Sequence, residues 1–303
     1  MNRILASVLI VASLVFATLG NATYAQTTAK GAKVASSPAS PLKLSLPVKE
    51  GSVRFAVIGD TGSGSDKQRQ VADEMVQYRS VFPFDFVLMM GDNLYGSESA
   101  KDFQTKFSDV YKQLLDNNVK FYATLGNHDL PIQVNYQNFN MNGKEYYRFK
   151  KGNIAFYSLN SNYMDKKQVQ WLETELAKDT SDWKIAFFHH PPYSSAAAHG
   201  SDEQLREVLE PIFVKYGMNV VLTGHDHVYE RIKPQKGIYY FVSGAGGRLR
   251  TGDVKSSPFT EKSFDRDMHF MLWEAVGNNL YFQAISRTGE TVDSGVIAKQ
   301  KTK

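Results

Sequence analysis

The sequence predicts an α/β domain, and three observations carry that expectation. Short apolar runs recur through the first two thirds of the chain: VRFAVIG (53–59), FDFVLMMG (84–91), KFYATLG (120–126), KIAFFHH (184–190) and NVVLTG (219–224). Each has the length of a strand, is apolar at consecutive positions, as strands buried on both faces are, and ends in glycine or polar residues. Stretches with helical spacing lie between them. Later runs, GIYYFVSGAGG, HFMLWEAV and NLYFQAIS, follow closely with no helix between them and read as antiparallel strands. Strands alternating with helices early and a strand-rich end together define the class.

The elements follow in order. Residues 1–25 read as a signal peptide: Arg3 gives a positive start, ILASVLIVASLVFATLG an apolar run, and small residues precede Gln26. Cleavage is expected after Ala25, with Ala22 as the second candidate. An uncleaved anchor is the competing reading of the same run. Either way the folded part is expected outside the cytoplasm, with no membrane span once the signal is removed. Residues 26–50, rich in Ala, Ser, Thr, Lys and Pro without an apolar period, are expected to form a flexible linker. The catalytic domain is expected over 51–298, and 299–303 as a disordered tail. Within the domain, Val169, Leu172 and Leu176 mark one helix. Ser201 is placed to cap another, with Leu205, Val208, Leu209, Ile212 and Phe213 on one face.

Composition excludes several function classes. The 303 residues carry a net charge of +4, and Lys and Arg are scattered without a run of five or six. That is a solvated surface with no nucleic-acid track. There is no cysteine, which removes disulfides, thiolate metal sites, cysteine nucleophiles and lipoprotein anchors together.

The chemistry gathers at the strand ends. Asp60 follows the first strand in GDTGSG, and Asp92 the second in GDNLY. Asn127 and His128 follow the third in GNHD. His189 and His190 end the fourth in FFHHPPY, and His225 and His227 follow the fifth in TGHDHVYER. Ligands of open α/β sheets bind at the carboxyl ends of the strands. A lone Asp60 is an ordinary turn or capping residue, and a lone histidine an ordinary core or surface group. Five successive strands ending in carboxylate, amide or imidazole form a ligand set. Mixed oxygen and nitrogen donors suit Zn, Mn or Fe, and there are enough of them for two ions. Two cations a few ångströms apart suit phosphoryl chemistry.

The run GD…GD…GNHD…H…GHDH resembles the calcineurin-like metallophosphoesterases. Most of them carry D-x-H at the first motif, where this chain has Asp60-Thr61-Gly62. It offers Tyr95 instead, in D-x-x-Y, and that exchange resembles the purple acid phosphatases in their short, single-domain, tartrate-resistant form. The resemblance implies a four-layer α/β/β/α sandwich with the dimetal site at the carboxyl ends of the strands. It implies that Asp60, Tyr95 and His227 hold Fe(III), that Asp92 bridges, and that Asn127, His189 and His225 hold a divalent Fe, Zn or Mn. His189 is chosen over His190 by the H-x-P-x-[YW] pattern. A phenolate is a hard anionic donor, and ionising a tyrosine well below its usual pKa of about 10 needs a strong nearby cation. His128 and His199 are implied to bind phosphate oxygens and to protonate the leaving group.

The implied activity is that of an acid phosphatase. A metal-bound hydroxide attacks phosphate monoesters, inorganic phosphate is the product, and activity is highest in mild acid. The alternative on the same fold and metals is a phosphodiesterase or nucleotide phosphohydrolase, with Tyr136 and Phe139 stacking on a base. A non-catalytic metal or phosphate binder is weakened because every ligand position is filled, and nothing separately supports redox chemistry at a di-iron pair. Asp226 is expected to brace its loop, and Arg231 to pair structurally. A short chain without disulfides or a glycan site after the signal suggests an exported bacterial monomer, periplasmic or secreted.

Overall fold

The computed structural model describes residues 42–299. The expected signal peptide, the linker up to residue 41 and residues 300–303 lie outside them. In chain order the elements are β1 (Val53–Ile58), α1 (Asp66–Val81), β2 (Phe86–Met89), α2 (Ala100–Phe103), α3 (Lys112–Asp116), β3 (Lys120–Ala123), β4 (Tyr147–Lys151), β5 (Ile154–Ser158), α4 (Lys166–Ala177), β6 (Trp183–Phe187), α5 (Glu203–Tyr216), β7 (Val220–Thr223), β8 (Tyr229–Ile232), β9 (Tyr239–Ser243), β10 (Thr260–Phe264), β11 (His269–Val276), β12 (Asn279–Ser286) and β13 (Thr291–Ala298). They form two sheets, β13-β12-β11-β1-β2-β3 and β10-β8-β9-β7-β6-β5-β4. β1, β2 and β3 run parallel, as do β5, β6, β7 and β9.

The sheets pack face to face, because their strands are apolar on both sides. Alternate residues of β6 and β7 divide between two cores. Ile185, Phe187, Val220 and Leu222 turn to the first sheet, and Ala186, Phe188 and Val221 turn to α4 and α5. The inter-sheet layer is aromatic. Phe55 meets Phe156 edge-on at 5.3 Å between ring centroids, and Trp273 meets Phe241 at 5.1 Å; such pairs add about 0.5–1.5 kcal/mol each beyond their buried area. Helix α1 covers the outer face of the first sheet, with Tyr78 edge-on to Phe270. The result is the four-layer α/β/β/α sandwich, with both faces of each parallel segment covered.

Three details depart from the sequence reading. β9 was expected to be antiparallel. It is antiparallel to β8 but parallel to β7, because the chain turns back through the β8–β9 hairpin before β9 slots in beside β7. Helix α5 is capped by Asp202, whose carboxylate accepts the Leu205 N–H at 2.9 Å. Ser201 instead spends its hydroxyl on Ser194, and Val208 stays exposed. Residues 42–50, expected within the flexible linker, are strapped onto the first sheet. Glu274 accepts the N–H groups of Val48 and Lys49 at 2.7 and 2.6 Å, and Gln283 accepts that of Ser45. Leu46 is buried in the core.

Candidate metal centre

Five parallel strands point their carboxyl ends at one place, and each continues into a tight turn. Three of the residues in these turns, Asp60 (φ 54°), Asp92 (φ 50°) and His225 (φ 70°), adopt the left-handed conformation. That conformation costs a non-glycine residue about 1–3 kcal/mol where the surroundings impose it. The turns hold one another in place. The Asp60 N–H donates to the Gly91 carbonyl, the His225 N–H to Asp60 Oδ2 at 2.9 Å, and the His128 N–H to Asp92 Oδ1 at 3.0 Å. The glycines before the ligands are spacers. A Cβ on Gly126 would lie 2.2 Å from Asp92 Oδ1, and one on Gly224 2.5 Å from Asp60 Oδ2.

The seven expected ligands fall into two triads. Tyr95 Oη lies 3.2 Å from Asp60 Oδ1 and 3.1 Å from His227 Nε2. Asn127 Oδ1 lies 2.9 Å from His189 Nε2 and 3.0 Å from His225 Nδ1, and the two ring nitrogens are 3.1 Å apart. Asp92 joins them: its Oδ1 is 3.4 Å from His189 Nε2, and Asp60, Asp92 and His189 bring ligand atoms within 4.8 Å of one another.

The donor set calls for cations. His189 Nδ1 is 2.9 Å from the Met90 carbonyl, which only accepts, so that nitrogen carries the proton and Nε2 is bare. Nε2 therefore faces the Asn127 and Asp92 oxygens, acceptors also, with no proton to share. Burial pushes five of these groups toward neutrality. It holds His189 well below the usual range, lowers His225 to about 2 and His227 to about 4, and raises Asp60 well above the carboxylate range, helped by Asp92. The Tyr95 phenol is pushed up by burial, then by Asp60 and Asp92. Neutral imidazoles are ready ligands, and a cation between the oxygens reverses the push on Asp60 and Tyr95. The residues present fit a metal pair.

His128 and His199 are exposed at the rim. The His128 ring is 5.1 Å from that of Tyr95, and the His199 ring 4.2 Å from that of His225. They flank opposite triads. His190, read from sequence as an ordinary histidine, sits at the site instead: its ring is 4.4 Å from His225 and its Nδ1 2.9 Å from Ser161 Oγ. Its place directly after His189 was the available signal. Beside Asn127 and His190 opens a cavity of about 400 Å³, walled by Asp129, Glu145 and Asp202.

Four roles were not legible. Asp129 ties two motif loops together by accepting from the N–H groups of Gly126, Asn93 and Leu94. Arg248 and Arg250 stand on the loop after β9, with the Arg248 guanidinium 3.5 Å above the Tyr95 ring and the Arg250 N–H donating to the His227 carbonyl. Val254, also beyond β9, bridges to Ala196 beside the His199 loop. Asp226 is fully buried and takes a 2.5 Å hydrogen bond from Ser194, and Arg231 pairs with Asp293 at 2.7 Å. Tyr136 and Phe139 pack on Phe103 and Phe107 in the core, so neither is free to stack on a base.

Residues 53–229 match the model of the calcineurin-like phosphoesterase family. Tartrate-resistant acid phosphatase type 5 of Oryctolagus cuniculus is 30% identical over 249 residues, spanning 67% of this chain and 76% of that protein. Purple acid phosphatase 17 of Arabidopsis thaliana is 30% identical over 245 residues, spanning 68% and 71%. Among solved structures, a purple acid phosphatase from yellow lupin (Lupinus luteus) superposes with a TM-score of 0.71 at 20% identity, over 84% of this chain and 55% of that one. The chain belongs to the calcineurin-like phosphoesterase family, and within it to the purple acid phosphatases.

Proposed function

We propose that the protein is an exported acid phosphatase that hydrolyses phosphate monoesters at a centre of one trivalent and one divalent metal ion. The observation that carries the reading is the division of seven donors into two triads joined by Asp92, with a phenol in only one of them. Asp60, Tyr95 and His227 would hold Fe(III). Asn127, His189 and His225 would hold a divalent Fe, Zn or Mn. Asp92 would bridge. When bound, the pair neutralises and orients the phosphate and acidifies a coordinated water.

The chain's own residues supply the rest. Asn127, His128 and His199 form the exposed edge where substrate arrives. Protonated imidazoles there bind phosphate oxygens, and one passes its proton to the departing alkoxide as the ester P–O bond breaks. The oxygen of water forms the new bond to phosphorus, and the products are an alcohol and inorganic phosphate. A ferric ion held by Asp60, Tyr95 and His227 would supply a more acidic water than zinc would, and an acid pH optimum is the expected result. The apolar run at residues 4–20 supports export. The diesterase alternative loses its base platform, because Phe139 is buried and Tyr136 is packed against it.

The test is to purify the mature chain, measure its metals and record the visible spectrum beside Tyr95→Phe. Iron, with a visible band that the variant lacks, supports the assignment. A colourless protein with two Zn or Mn, unchanged in the variant, removes the ferric site and with it the argument for acid activity.

A further inference from the structure

The cavity beside Asn127 has a wall that the transferred phosphate alone does not require. Its volume of about 400 Å³ is that of a small-molecule site. Its lining includes Asn127, a donor of the second triad, so it opens from the edge where substrate arrives. Three loops build the far wall. Glu145 stands just before β4, Tyr163 between β5 and α4, and Asp202 at the start of α5. The loops are tied to the turns of the centre. Asn162 Nδ2 donates to the Gly126 carbonyl at 3.0 Å, and the Asp202 N–H to the Pro191 carbonyl at 2.8 Å.

The charge of this wall is one-sided, with no lysine or arginine in it. Asp129 spends both oxygens on its own loops: Oδ2 accepts from Asn93 and Gly126, and Oδ1 from Leu94. Glu145 and Asp202 are anchored by one oxygen each. Glu145 Oε2 accepts from the Asn160 side chain at 2.9 Å, and Asp202 Oδ1 from the Leu205 N–H at 2.9 Å. Each carboxylate is thereby fixed with its second oxygen left for a ligand. His190, on the same wall, turns its Nδ1 to Ser161. Tyr163 is 73% exposed and adds an uncovered aromatic ring.

Two free carboxylates beside a site for a phosphate dianion weaken the binding of a substrate unless its remainder brings a positive charge. Carboxylates hold an ammonium by charge, and a tyrosine face holds it through the ring quadrupole. Both features of the wall therefore favour the same kind of group. We propose that Glu145, Asp202 and Tyr163 form a leaving-group subsite that selects phosphate monoesters whose alcohol carries an ammonium, and that disfavours those whose alcohol carries a second anion. The inference rests on the phosphatase reading above.

The experiment compares phosphoethanolamine, propyl phosphate and phosphoglycolate on the metal-loaded enzyme and on Glu145→Gln/Asp202→Asn. Glutamine still accepts from Asn160, and asparagine still caps α5, so the variant removes charge and keeps the wall. The alcohols differ in intrinsic reactivity, which cancels when wild type and variant are compared. The ratio of kcat/KM for phosphoethanolamine to that for propyl phosphate is expected to fall at least about tenfold in the variant, mainly through KM. The same ratio for phosphoglycolate is expected to rise. Tyr163→Leu should lower the first ratio by less and leave the second alone. A second readout is calorimetric binding of 3-aminopropylphosphonate against butylphosphonate, where the amine should bind more tightly to wild type and lose that advantage in the double variant. Ratios that do not move, or three esters that lose equally, overturn the subsite. Equal binding of the two phosphonates, or no binding, overturns it as well. A wild-type enzyme without activity on any of the three esters, whatever its metals, refutes the phosphatase reading instead; the calorimetric comparison still decides the subsite.

Discussion

The triad of Asp60, Tyr95 and His227 and the triad of Asn127, His189 and His225 have the same number of donors and opposite characters. In the first, Asp60 is fully buried and Tyr95 and His227 nearly so, and two of the donors are oxygens that can carry charge. In the second all donors are neutral, Asn127 is exposed and His225 half-buried. An ion held by the first triad would be embedded beside two groups that can ionise, and one held by the second would be presented to solvent by amide and imidazoles. A hard trivalent ion suits the first, and an exchangeable divalent ion suits the second. If Asp92 bridges, one carboxylate would join two sites of different selectivity, which is what the contrast between the triads predicts.

The comparison breaks most completely at Asp92. Asp92→Ala is expected to lose both ions and to lower kcat by on the order of a thousandfold or more. Retention of a full metal complement by elemental analysis would show that the triads are independent. Asn127→Ala sharpens the contrast. It is expected to lose the solvent-facing ion alone, and brief chelation of the wild type should do the same, leaving one metal per chain and the visible band. Gly126→Ala attacks the spacing. Its Cβ meets Asp92 Oδ1, and a cost of about 1–3 kcal/mol in stability is expected, read as a lower melting temperature with weakened metal retention.

The smallest effect concerns a histidine outside the site. His269 is fully buried, paired through Nε2 with Ser243, and burial lowers it to about 3. The unfolded chain takes up a proton below about pH 6.5 while the folded chain does not. The stability His269 confers is therefore present above that pH and is lost as pH falls toward 3, with a slope of up to about 1.4 kcal/mol per unit. His269→Gln should flatten the fall in melting temperature between pH 7 and 5. An unchanged fall would assign acid lability to the site histidines, which metals would otherwise hold neutral.

Much of this was legible because the chemistry is local. Gly-Asp, Gly-Asn and Gly-His after apolar runs record two local demands, a ligand and a neighbour with no room for a side chain. What was missed depends on distant partners. Arg248 and Arg250 follow a strand whose place beside β7 is settled by the β8–β9 hairpin, so nothing near them in sequence announces the Tyr95 ring. His190 was discounted because a pattern assigned the role to its neighbour. The strap at 42–50 had a signal, the alternation of Leu42, Leu44 and Leu46. It is only three residues deep and is surrounded by serine, lysine and proline, and the carboxylate that holds it lies more than two hundred residues away.

The turns that carry the ligands come from both sheets: Asp60, Asp92 and Asn127 from one, His189, His225 and His227 from the other. Each triad takes residues from both sheets, so neither half alone holds a complete triad. A chain emerging from synthesis offers no finished pair of triads until it extends past His227 and the sandwich has closed. An ion bound there would clasp two sheets whose ligands are far apart in sequence.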